Sequence, residues 1–414
     1  MFEKRVKGHH RARIAAPIMA SNEEIENFLE KEPCGKAGII YFHVPYCDNI
    51  CSFCNLNRVK KDGELDGYVN FLVKSIEKYA KYPYIKNKVF KSIYFGGGTP
   101  TIFNVSQLEK ILSAIRLNFS LDDDIEFSFE TTLHNLSLNK IKLMQDFGVN
   151  RYSIGIQTFS DSGRKLLNRV GTKAKALKKL EMIRESFKGQ ICSDIIYNYP
   201  KQTIDEAIED AKIVKSLKLS SSSFYSLQFH KGSEFIKHHD INYYDLEKDK
   251  ELHHAFLETI LAGGDYKVLE YTKVALDDRY LYITLSHRGV DILPIGAGAG
   301  GRLGSYSIFN VKPDMRVASI NTIALKKHAL FSSLFQYEFI KLDEIKKLVD
   351  ENTFYKLMEF FKECEDYSYL KIEDDMLEFS IDGIFWGNTI AEKVIDISKE
   401  YFLKEHNLEL KEIK

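Results

Sequence analysis

Between residues 38 and 230, six short runs rich in β-branched and aromatic residues alternate with amphipathic stretches, and that rhythm limits the fold more than any other feature. The runs are GIIYFHV (38–44), KSIYFGG (91–97), DIEFSFE (124–130), RYSIGIQ (151–157), CSDIIYNY (192–199) and SSFYSLQ (222–228). Most read as apolar on both faces, as strands of a covered parallel sheet do. Stretches such as SQLEKILSAIRLNF and TIDEAIEDAKIVKSLKL lie between them, and each gap has room for the crossover helix that a parallel pair needs. Six βα units predict an α/β fold whose parallel sheet curls into a partial (β/α)6 barrel.

After residue 230 the rhythm changes. GAGAGG (296–301) is glycine-dense, and the last hundred residues read as helical with one hairpin near YLKIEDDMLEFSIDGIFW. The expected organisation is a basic N-terminal extension (1–36), a core barrel (37–230) and a smaller, mainly helical C-terminal domain (231–414) that covers a substrate. The formal net charge of −1 offers no bulk field for nucleic acid or an anionic membrane. No apolar run spans a bilayer, and the N-terminus lacks the apolar core of a secretory signal. A cytoplasmic, reducing setting is expected, in which clustered cysteines read as metal-binding or catalytic thiolates.

Three of the six cysteines, Cys47, Cys51 and Cys54, fall within eight positions directly after the first strand. Three ligands suit a [4Fe–4S] cluster with one iron left open, by analogy with catalytic metals that keep a free position. A zinc site adding His43 is the competing reading, although His43 lies inside the strand at a spacing to Cys47 that fits no common zinc module. Cys34, Cys192 and Cys364 are scattered and read as buried or incidental thiols.

The second strand ends in GGGTP (96–100). In order, YFHVPYCDNICSFC, YFGGGTPT, FSFETT, RYSIGIQTF and SDIIYNYPKQT make the chain resemble radical S-adenosylmethionine (SAM) enzymes of the oxygen-independent coproporphyrinogen III dehydrogenase family. The resemblance implies one [4Fe–4S] cluster on Cys47, Cys51 and Cys54, with the open iron bound by the amino and carboxylate groups of SAM. Cleavage of that SAM gives a 5′-deoxyadenosyl radical. Tyr41, in the Y-x-H-x-P motif, is implied to contact this SAM, Gly97 to let backbone approach it, and Glu130 to meet its ammonium. A second SAM is implied beside the first, with Phe53, Gly98, Thr99, Gln157, Arg169 and Asp194 as its contacts. A solvated helix would give the same arginine at 169, and loop packing the same Phe53.

Within the family, Leu56 stands where the coproporphyrinogen dehydrogenase has a fourth cysteine, and the H-N-x-x-Y-W element of the heme-chaperone branch is missing near His287. The glycine-rich form PIGAGAGGRLGSYS and the basic N-terminal arm resemble the heme-utilisation branch, the anaerobilin synthases. That branch implies a class C methyltransferase that opens heme to a linear tetrapyrrole and releases iron, served by an electron donor such as flavodoxin. Coproporphyrinogen decarboxylation and delivery of intact heme are the alternatives. For GAGAGG a tight packed turn competes with a ligand-facing role, and His9, His10, Arg11 and Arg13 read equally as heme contacts or as a solvated arm. His238–His239 and His253–His254 read as surface pairs rather than heme ligands.

Overall fold

The computed structural model describes residues 1–7, 14–54, 58–63, 65–228, 233–238 and 243–413. His9, His10, Arg11, Arg13, Leu56, His239 and the side chain of His238 therefore lie outside the described residues. One mixed sheet of 13 strands organises the chain. In chain order its strands are β1 (Ile18–Ala20), β2 (Ala37–Val44), β3 (Val89–Gly97), β4 (Leu121–Thr131), β5 (Arg151–Gln157), β6 (Gln190–Tyr197) and β7 (Ser221–Ser226). They continue as β8 (Lys267–Glu270), β9 (Lys273–Ala275), β10 (Asp291–Ile295), β11 (Gly300–Leu303), β12 (Tyr306–Lys312) and β13 (Met315–Ile320).

Strands β2 through β7 are parallel neighbours in chain order, the six units expected from the sequence. Between them run α-helices including α1 (Asp66–Tyr79), α2 (Val105–Asn118), α3 (Lys173–Ser186) and α4 (Ile204–Ser216). Asn104 and Thr203 close capping boxes with Gln107 and Glu206, which satisfies orphan N–H groups at two of these helix starts.

The sheet does not stop at six strands. β10 adds in parallel beside β2, and β11, β12, β13 and β1 continue from it as an antiparallel extension, while β9 and β8 extend the β7 edge. The glycine-dense run read as a loop thus enters a strand at Gly300. The expected hairpin is present, with Leu370–Glu373 paired to Met376–Phe379 across Asp374 and Asp375, both at positive φ. Phe339–Lys341 adds a third strand to that hairpin, and the helices of the C-terminal portion include α5 (Leu246–Leu261), α6 (Leu281–His287) and α7 (Ile381–Ile413).

Register sorts the strand residues into two faces. Phe42, Phe95 and Phe129 align across β2, β3 and β4 and stack with centroids 4.2–4.3 Å apart, on the face covered by helices. The alternate residues Tyr41, Tyr94 and Ser128 line the other face, the barrel lumen. Arg151 and Asp278 meet there as a fully buried bidentate pair, with Nε–Oδ1 3.0 Å and Nη2–Oδ2 2.8 Å. Glu126 accepts hydrogen bonds from the backbone N–H groups of Leu281 and Tyr282, so the lumen holds the start of α6.

Residues 1–7 form a strap laid on the C-terminal helices. Arg5 donates to Phe385 O at 2.8 Å, Tyr197 Oη at 2.8 Å and Asp249 Oδ2 at 3.0 Å, and Val6 N donates to Thr389 Oγ1. Among the described residues no helix is long and apolar enough to cross a membrane.

Candidate functional site

The carboxyl ends of the parallel strands converge on one rim, where a barrel-like α/β protein builds its site. The segment after β2 begins with Cys47, which is buried, and continues through the half-buried Cys51 and Cys54. Several bonds fix this cysteine loop. Gly98 N donates to Val44 O at 2.7 Å and Thr99 N to Tyr46 O at 2.8 Å, so GGGTP is latched to the start of the loop. On the far side, Ser52 Oγ donates to Leu166 O, Asn49 Nδ2 to Asn168 O, and Asn168 Nδ2 to Ile50 O.

Two of the thiols have placed partners. Thr99 Oγ1 donates to Cys47 Sγ at 3.5 Å, and Arg169 Nη1 donates to Cys51 Sγ at 2.7 Å. Burial pushes the Cys47 thiol up, and the nearby Cys51 and Cys54 add to that, while Thr99 and Arg58 pull it down. The three sulfurs therefore feel one another. A Cβ on Gly98 would stand 2.6 Å from Tyr46 O and 3.0 Å from Cys47 Sγ, so only glycine lets this strand end lie against the thiol.

Glu130 ends β4 facing the same rim. It accepts from Tyr94 Oη at 2.9 Å and from Gly97 N at 3.0 Å. Burial, with the charge of Asp194 nearby, raises its carboxyl to about 7 against the pull of those two hydrogen bonds. Gly97 is at φ 113°, and a Cβ there would strike the His43 ring at 2.7 Å. Tyr41 Oη bonds His43 Nδ1 at 3.0 Å, and its ring stacks on Tyr282 at 5.8 Å, which in turn stacks on Tyr94 at 4.4 Å.

The remaining expected contacts divide into two groups. Asp194 accepts from Ser153 Oγ at 3.3 Å on the lumen face. Gln157, at φ 71°, ends β5 in a left-handed turn beside Gly155. Arg169 also donates to Gly155 O, which joins β5 to the cysteine loop. Phe53 lies apart from these polar groups and packs on the apolar cluster of Leu167, Ile196, Tyr199, Leu227 and Phe235. Arg169, read equally as a solvated helix residue, is thus a thiol partner, and Phe53 has the packing that its competing reading expected.

His43 has the environment of a packed residue rather than a zinc ligand. Gly97 and Gly298 both press on its ring, and a Cβ on either would come within 2.8 Å of it. Gly296 likewise sits where a Cβ would be 2.4 Å from His43 O, so the first glycines of GAGAGG are there to clasp this strand end. Among the described residues no three His, Cys, Asp or Glu side chains converge on one metal-ion position. A cubane's ligands bind separate irons and need no such common point.

Sequence reading missed Tyr94, Tyr282 and the Arg151–Asp278 pair. Tyr94 had a signal, being two residues before Gly96 on the face of Tyr41. Tyr282 and Asp278 come from beyond the six-strand pattern, and only the tertiary fold brings them in.

Comparison with known proteins agrees with this geometry. Residues 41–214 match the Radical SAM superfamily. The heme chaperone HemW of Lactococcus lactis is 27% identical over 284 residues, covering 67% of this chain and 73% of that protein. The anaerobilin synthase of Escherichia coli O157:H7 is 26% identical over 278 residues, covering 66% of this chain and 62% of the synthase. The structure of coproporphyrinogen III oxidase (HemN) from Escherichia coli superposes with a TM-score of 0.77 at 19% identity, covering 91% and 93% of the two chains. That likeness carries the fold, including the extended sheet.

A [4Fe–4S] cluster and SAM are the cofactors of radical SAM proteins, and the donor set here fits them. Three thiols on one loop, a cation on one of them and a glycine-lined strand end beside another form a cradle for an anionic cluster. Residues 41–214 thus match the radical SAM family, in a chain similar to heme chaperones, anaerobilin synthases and oxygen-independent coproporphyrinogen III oxidases.

Proposed function

We propose that the protein opens heme without oxygen, by SAM-dependent methyl or methylene transfer to the ring, yielding a linear tetrapyrrole and free iron. The observation that supports this reading is the crowding of two groups of polar and thiol side chains at one rim. Cys47, Cys51 and Cys54 with Glu130 form one set, and Gln157 and Asp194 on the next strands form the other. When bound, the cluster supplies the electron that cleaves SAM to a 5′-deoxyadenosyl radical. The chain holds the three cysteines as ligands, and Tyr41 with the backbone around Gly97 positions the first SAM. Glu130 receives its ammonium, a charge-assisted bond that suits a buried carboxylate. Asp194 and Gln157, with Gly98, Thr99 and Arg169, position the second SAM as methyl donor.

One observation bears on the chaperone alternative. His287, the histidine nearest the missing H-N-x-x-Y-W element, faces Tyr337 Oη at 2.9 Å and Glu270 at 3.6 Å in a largely buried setting. Such a histidine is engaged in the fold rather than offered to heme iron.

Anaerobic incubation with heme, SAM and a flavodoxin or chemical reductant tests the proposal. A linear tetrapyrrole in the spectrum is the expected result. An intact Soret band with heme bound would assign the chaperone role, and turnover of coproporphyrinogen III alone would assign the synthetic one. Asp194→Ala is expected to keep some 5′-deoxyadenosine formation while methylene transfer stops, and equal loss of both would refute the two-SAM arrangement.

A further inference from the structure

The antiparallel extension of the sheet carries apolar side chains on its lumen face that nothing in the described structure covers. Register shows which face this is. Tyr41 pairs with Pro294, Ile292 with Arg302, Gly300 with Phe309, and Phe309 with Val317. Cross-strand partners share a face, as do residues two apart on a strand. Gly300, Arg302, Phe309 and Val317 therefore lie on the same face as Tyr41, one continuous surface leading away from the cluster loop. Phe309 is 42% exposed, Val317 39% and Met315, at the hairpin tip, 46%. Grouped exposed apolar side chains of this kind mark a binding surface.

Gly300 is the telling residue. The neighbouring glycines are demanded by packing: a Cβ on Gly301 would lie 2.4 Å from Ile292 O, and one on Gly298 would strike His43. At Gly300 an added Cβ would meet only Phe309, at an ordinary 3.6 Å, and its φ is not positive. Neither crowding nor backbone conformation requires glycine at this exposed strand position, where glycine weakens a strand. Its effect is to leave a flat floor beside the Phe309 ring.

Cations flank that floor. Arg302 lies two residues along β11, its guanidinium tethered by Ser286 O and Val290 O at 3.2 Å each. Lys312 is exposed at the hairpin tip. A flat apolar surface with one tethered and one exposed cation at its edges complements a flat apolar ring bearing carboxylates.

We propose that the shelf of Gly300, Phe309 and Val317 seats one face of the tetrapyrrole, with Arg302 and Lys312 at its carboxylates. This placement rests on the tetrapyrrole reading above and says where on the molecule the ring lies. The test is an anaerobic hemin titration of the cluster-loaded protein and of its Gly300→Leu and Val317→Asp variants. SAM binding by calorimetry and iron content are measured alongside.

The expected result is at least a tenfold loss of hemin affinity in both variants, with SAM binding and iron unchanged. Protoporphyrin dimethyl ester should bind wild type more weakly than the free acid. Unchanged hemin affinity in both folded variants would overturn the shelf and leave the tetrapyrrole reading standing. Failure of wild type to bind either hemin or coproporphyrinogen would overturn both. A wild-type dimer that Val317→Asp dissociates, with hemin affinity unaltered, would assign the face to a second copy of the chain and overturn the proposal.

Discussion

The two faces of the same strands obey opposite rules. Outside the barrel, Phe42, Phe95 and Phe129 stack in a dry ladder under the helices. Inside, one residue along each strand, sit Tyr41, Tyr94, Ser128, Glu126, Arg151 and Asp194. The outer face is held by apolar area and close packing. The inner face is held by paired charges and hydrogen bonds, each of which must be satisfied because it is shielded from water. A lumen built this way keeps its polar groups oriented toward the rim, at the cost of sensitivity to the loss of any one partner.

The largest contrast concerns the thiols. Alanine at Cys47, Cys51 or Cys54 is expected to abolish the cluster, read as loss of iron and of its visible absorption. Cys192→Ser, in the lumen beside Asp278, should retain full iron. If Cys192→Ser lost the cluster while Cys54→Ala kept it, rim and lumen would have exchanged roles.

Next in size is the buried pair. Arg151→Met leaves the Asp278 carboxyl buried without its guanidinium partner, which costs about 3–5 kcal/mol in denaturant unfolding. Burial favours the protonated Asp278 carboxyl and Arg151 chiefly offsets that burial, holding it well below the usual carboxylate range, so the variant must keep an uncompensated buried charge or protonate the group. Pairing the change with Asp278→Leu should recover much of the loss. An Arg151→Met midpoint equal to wild type would show that lumen charge is not structural.

A pH series sharpens the contrast further. Glu130 has a folded value of about 7, above the ordinary carboxylate value near 4.3. Between these, the folded state holds a proton that the unfolded state has released, so stability falls as pH rises from about 4.5 to 7. Glu270 and Asp210, also raised to about 7 chiefly by burial, add in the same direction. Glu130→Gln in the apo-protein should therefore lessen the fall by up to one proton's worth without removing it. A slope identical to wild type would place Glu130 in water rather than in the lumen.

The smallest effect belongs to the outer ladder. Phe95→Leu removes a buried ring stacked on two others and should cost roughly 1–3 kcal/mol, with no change in pH dependence. A larger, pH-dependent loss would mean that the two faces are not energetically separate.

The strand positions were legible because β-branched and aromatic runs recur at barrel spacing, and the observed bounds of β5 match the expected 151–157. The reading of those strands as apolar on both faces was too simple. Tyr and Ser fit either environment, and Arg151 and Glu126, near strand starts, look like solvent-facing ends until Asp278 and α6 close over them. The rim was legible wherever chemistry needs local spacing, as in the cysteine loop and GGGTP. The extension from β10 to β13 was not, because short antiparallel strands lack the crossover rhythm, and Gly300 and Gly301 differ only in what stands across from them.

The strap has a consequence for the order in which the chain can finish folding. Arg5 and Val6 are made some 380 residues before their partners Phe385 and Thr389. At roughly 5–20 residues per second, about 20–80 s of synthesis separate the two ends. Until then the Arg5 guanidinium and the Asp249 carboxylate wait without their full set of partners. The sheet closes on the same schedule, since β1 pairs only with β13, some 300 residues later. The strap is fully fastened only once α7 exists, so a nascent chain stalled before α7 would leave residues 1–7 loose even with all six parallel strands in place.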